Sequence, residues 1–124
     1  MKYFTVQQVK IPESEQDLPN QVNSWSEACA QSKHWNAKME MMRVSHQDGE
    51  MELSDDILDC YQDCYLVQAT DLEHVFHITN LWNDPDAVHT YTPGHSTSVG
   101  DIIVDNATGE RYVVADFGFN KIAA

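Results

Sequence analysis

The sequence predicts an α+β fold with a mostly antiparallel sheet and two amphipathic helices, in the order β-α-β-β-β-α-β-β. Three observations lead there. Runs rich in β-branched and aromatic residues alternate at both ends of the chain. Two stretches place apolar residues at helical spacing behind a capping signature. Turn-forming Asp-Gly and Asn-Ala-Thr-Gly segments join neighbouring strand-like runs. At 124 residues and 42% apolar composition the chain can enclose one core, so residues 1–124 read as a single α+β domain.

The elements follow in order. Residues 2–11 carry Tyr3, Phe4, Val6, Val9 and Ile11 and read as a first strand, stopped by Pro12. A polar, acidic loop spans 12–23. Ser24 with Glu27 three residues on is a capping box. Behind it Trp25, Ala28, Cys29, Ser32, Trp35, Met39 and Met42 share one face, which predicts a helix over 25–39 with its Trp and Met stripe in the core. Runs 41–46 and 50–53 flank Asp48-Gly49 and read as a hairpin. Ser54 caps a short acidic turn to Asp59, and residues 64–69 form a buried strand. Thr70 and Glu73 repeat the capping box before a second helix with Leu72, Val75, Phe76, Thr79 and Trp82 on one face. Residues 83–98 form a loop long enough to suggest function. The chain closes with a hairpin of 99–104 against 111–116, followed by Phe117-Gly118-Phe119.

Charge narrows the partners. Twenty acids face seven bases, for a net charge of -13, and no Lys or Arg occurs between Arg43 and Arg111. Such a surface repels nucleic-acid phosphates and anionic membranes, so the reading is no direct nucleic acid and no membrane. A protein partner with a basic surface fits best, met by the exposed acids Asp48, Glu50, Glu52, Asp55, Asp56 and Asp59. The N-terminus lacks the pattern of a secretory signal, and no apolar stretch is long enough to span a bilayer. With three cysteines in no framework pattern, this points to a reducing cytoplasm and free thiols. The sequence sets no oligomeric state and calls for no cofactor.

Two constellations carry possible chemistry. Between His89 and Asp101 lie His95, Tyr91, Ser96 and further hydroxyls, a mixture able to exchange protons or hold a small ligand. His95, Ser96 and Asp101 are the catalytic candidates, and His89 and Tyr91 are added as binding residues. No nucleophile elbow or Gly-rich phosphate loop accompanies them, and Ser, Thr and Asp at a strand entrance commonly bond loose amides. The residues therefore favour a noncatalytic protein. The other constellation is His74 and His77, three apart on the second helix, a metal candidate that needs ligands from elsewhere. The acidic run near Gly49 does not follow the spacing of a calcium loop.

Three stretches also carry a resemblance: Leu72-Glu73-His74-Val75-Phe76, the run 94–104 (GHSTSVGDIIV), and the run 112–119 (YVVADFGF). They resemble the YodL-like domains of bacterial mobile elements and phages, whose members share a Gly-His-Ser, a Ser-Val, an Asp and a Gly-Phe at these places. Gly100 departs from the polar residue that many members carry. The resemblance implies a phage or mobile-element setting, with host takeover or counter-defence as the role, and brings no assigned catalytic residue. On physical grounds Gly94 and Gly118 suit positive φ or close approach, and Ser96, Ser98 and Asp101 suit bonds to loose amides. Phe117 and Phe119 are expected to close the core together. His95 has no evident folding role.

Two functions emerge. An acidic, noncatalytic interaction protein expects salt-sensitive partner binding and no deep pocket. A small-molecule-binding domain or minor hydrolase expects a concave site lined by the 89–101 loop with apolar walls.

Overall fold

A computed structural model of the chain describes residues 1–123. Its centre is β1 (Lys2–Val9), whose alternation buries Phe4, Val6 and Gln8 on one side. β1 pairs with β2 (Tyr61–Ala69) on one flank and β4 (Ile102–Asp105) on the other. With β3 (Val88–Thr90), β5 (Arg111–Val114) and β6 (Phe119–Lys121), the strands form one six-stranded sheet in the order β3-β2-β1-β4-β5-β6. Every neighbouring pair is antiparallel, and the fold is α+β as its periodicities predict.

Successive residues on β4 and β5 go to opposite faces, which gives the sheet two apolar sides. Ile103 and Val114 join Phe4, Val6, Val67, Val75 and Ile78 beneath α5 (Leu72–Leu81). Ile102 and Val113 join Met41, Val44, Met51 and Ile122 on the side of α3 (Lys33–Val44) and α4 (Asp55–Leu58). Each fully buried Val, Ile or Phe contributes about 1.5–3 kcal/mol of apolar burial, so both faces hold their helices. Two further helices, α1 (Leu18–Gln21) and α2 (Trp25–Gln31), lead into α3.

Several expectations need correction. The helix predicted over 25–39 is two helices, broken at Ser32, whose backbone is extended (φ -136°, ψ 115°). Its hydroxyl accepts the Trp35 N–H at 3.2 Å and donates to the Glu15 carboxylate, bonds that compete with continuing the helix. Trp25 is exposed rather than in the core, its ring 5.8 Å from that of Trp35. The 41–46/50–53 hairpin does not form. α3 runs on to Val44 because Met41 and Val44, three apart, both bury on the sheet. Gly49 still turns the chain at φ 98°, after which Met51 bridges parallel to Ile122. Asp71, not Thr70, caps α5 by accepting the His74 N–H at 2.8 Å. Six strands are thus expected and six are found among the described residues, but β3 and β6 replace the two of the absent hairpin. Phe119 packs on the core while Phe117 is 89% exposed.

Candidate functional site

The 94–101 loop crosses the end of the sheet where β1 leaves and β4 begins, and one buried side chain fastens it. Gln8 is fully buried, and its Oε1 accepts the His95 N–H at 3.2 Å. Its Nε2 donates to the His95 carbonyl at 2.8 Å and to Asp101 Oδ2 at 3.0 Å. Tyr65 adds a hydroxyl to the same carbonyl at 3.2 Å. The chain passes so close to Gln8 that a Cβ on Gly94 would stand 2.2 Å from Gln8 Oε1, which explains the glycine. A bulge assists: the β1–β2 register slips between Val6 and Gln7, skipping Cys64, whose carbonyl accepts the Tyr91 N–H at 2.8 Å. Farther along, Thr97 is buried and takes the Thr79 hydroxyl at 2.6 Å, and Asn80 donates to its carbonyl at 3.0 Å.

Asp101 is the buried charge of this region. Oδ2 accepts the Ser98 N–H at 2.9 Å besides the Gln8 amide. Among the described residues Oδ1 has no hydrogen-bond partner. Burial pushes the carboxyl up to about 6, against the lowering pull of the Ser98 N–H, the His95 ring, Gln8 and Lys38. The same burial, reinforced by the Asp101 charge, raises the Tyr61 hydroxyl, which donates to the Gly100 carbonyl. The neighbouring Cys64 thiol is raised by desolvation and behaves as core.

His95 is half exposed. Both Nε2 hydrogens of Gln8 are already donated, so its 3.3 Å approach to the imidazole Nδ1 is packing only. Nδ1 instead lies 2.7 Å from the Ser96 carbonyl and carries the hydrogen donated there. With Nδ1 the donor, Nε2 of the neutral ring is an acceptor. Beside these groups opens a cleft of about 360 Å³, walled by Val9, Met41, Met42 and Val99, with Lys38 and Ser98 at its polar margin.

Of the sequence candidates, the cleft gathers His95 and Asp101. It does not gather Ser96, whose hydroxyl faces Trp82 Nε1 at 3.4 Å, so that the serine bonds a side chain and not a loose amide. His95 Nδ1 is 4.0 Å from Asp101 Oδ2, so no Ser-His-Asp relay is assembled. His89 and Tyr91 stack edge-to-face at 5.1 Å on and just beyond the edge strand β3, outside the cleft. His74 Nδ1 accepts the Thr70 N–H at 3.0 Å, and His77 borders a separate hollow beside Phe119. Among the described residues no group of three or more His, Cys, Asp or Glu is placed to hold a metal ion. The acids Asp48, Glu50, Glu52, Asp55, Asp56 and Asp59 are all exposed, and none is in an ion pair among the described residues.

Gln8, Lys38, Tyr61 and Met41 were not singled out in the sequence, and Met42, read there as part of a core stripe, is exposed on the cleft wall. Gln8 did leave a signal, as a polar residue in the inward phase of Phe4 and Val6. Among the described residues no helix is long and apolar enough to cross a membrane. Set against protein-family models, curated proteins and solved structures, the chain matches none.

Proposed function

We propose that the chain is a noncatalytic binding domain that takes a small molecule in the cleft between α3 and the 95–101 loop. The carrying observation is Asp101: a buried carboxylate that lines, with His95, a cleft whose walls are largely apolar. A convergence of perturbed charge and apolar surface is what a ligand site needs. The separation of Ser96 from His95 and Asp101 argues against hydrolysis. The likeness of 72–119 to YodL-like domains supports a phage or mobile-element setting, host takeover or counter-defence as the role, and the host cytoplasm as the place. A fragment library followed by amide NMR tests the binding role. Hits are expected to move the His95, Ser98 and Gly100 amides, and hits that avoid them overturn it.

A second reading rests on a different surface. Six exposed carboxylates without ion pairs favour docking onto a basic protein, and complementary charge would speed that encounter. Replacing Asp55, Asp56 and Asp59 together by lysine is expected to abolish partner capture from a bacterial lysate at about 50 mM salt. Wild-type capture should fade by about 500 mM. Capture that survives the triple replacement removes this reading.

A further inference from the structure

We infer that the cleft selects small primary amines, holding the ammonium group between the Asp101 carboxylate and the His95 imidazole, with the apolar body against Met41, Met42 and Val99. This rests on the binding role proposed above and names the ligand class.

Counting donors and acceptors gives the class. Gln8 donates both amide hydrogens inside the protein, and the Tyr61 hydroxyl donates to the Gly100 carbonyl. The Gly100 and Asp101 N–H groups bond the Val114 and Ser98 carbonyls. Of the lining side chains, Asp101 and the neutral His95 ring therefore offer acceptors, with the Ser98 hydroxyl able to serve as a third, and Lys38 is the donor on the α3 wall. An ammonium group brings three N–H donors and a positive charge to a partly desolvated carboxylate, a charge-assisted bond. An alcohol brings one donor. A carboxylate meets Asp101 as a like charge; Lys38 on the α3 wall, the one cation among the described lining residues, would draw a carboxylate and repel an ammonium group, so the preference rests on the nearer Asp101. The apolar lining from α3 and Val99 suits an alkyl or aryl body over a bare ammonium ion.

The test uses n-butylamine hydrochloride, sodium butyrate and n-butanol, titrated into the full chain at about pH 8 and followed through the His95, Val99 and Gly100 amide resonances. Butylamine is expected to bind at least about tenfold tighter than the other two, as a hydrogen bond to a charged group warrants. Binding should weaken at about pH 5, where Asp101 gains a proton. The titratable groups facing Asp101 are His95 on its own loop, Lys38 on α3, and Tyr61 and Cys64 on β2. Asp101→Asn can keep the Ser98 and Gln8 bonds through its carbonyl while turning an N–H2 toward the cleft, and should lose the amine by about tenfold or more. Butyrate or butanol binding there as tightly as the amine overturns the ligand class and leaves the cleft standing. No movement of those resonances by any probe overturns both. Equal amine binding by Asp101→Asn overturns the role of the carboxylate.

Discussion

Asp101 keeps a carboxylate where burial disfavours charge, and the consequence is a pH-dependent stability that can be isolated. Its folded pKa, about 6, lies above the ordinary 3.8. The native state therefore binds more protons than the unfolded chain between those values, and stability falls as pH rises through the window. The difference amounts to about 3 kcal/mol when complete. Stability measured by urea unfolding for wild type minus Asp101→Asn should be greatest below pH 3.8 and decline until about pH 7. The other carboxylates titrate in both proteins and cancel in the difference. A difference flat with pH would mean that Asp101 is solvated. Gln8 reads differently at the same scale, because its four side-chain bonding positions are nearly filled by the loop it fastens.

At the scale of elements, Ser32 separates α2 from α3 by capping the second at the end of the first. Ser32→Ala should cost about 1 kcal/mol or more in urea unfolding, since it removes the Trp35 cap and a bond to Glu15 together. An unchanged midpoint would show that the break is held by packing alone. The same residue marks the limit of what the sequence discloses. Ser24, Ser54, the α5 face and the closing β4–β5 hairpin follow from local spacing, and each forms close to where spacing puts it. The break at Ser32 depends on Glu15, seventeen positions away, and the lost hairpin depends on Met41 and Val44 finding the sheet. The cleft divides likewise. His95 and Asp101 stand out as residue types in one loop, whereas Lys38, Met41 and Met42 arrive from α3 through tertiary packing. Phe117, read as core from its period-two spacing with Phe119, is turned outward beside Gly118, which adopts φ 77°.

For the whole molecule, a net charge of -13 acts against the compact state through self-repulsion. Raising sodium chloride from about 10 mM to about 500 mM screens that repulsion and should lift Tm by roughly 5 °C. A constant or falling Tm would show that the acids are too well solvated to matter.

The contact between Met51 and the C-terminal strand has a consequence for self-association. An open sheet has two borders, and molecules that expose both can add to one another without end. Here Met51 covers the C-terminal end of the β6 border: it donates to the Lys121 carbonyl at 2.8 Å and accepts the Ala123 N–H at 2.6 Å. Strand addition is obstructed at that end, while β3, the other border, pairs with β2 alone among the described strands. A partial block of this kind disfavours open-ended growth through strand addition.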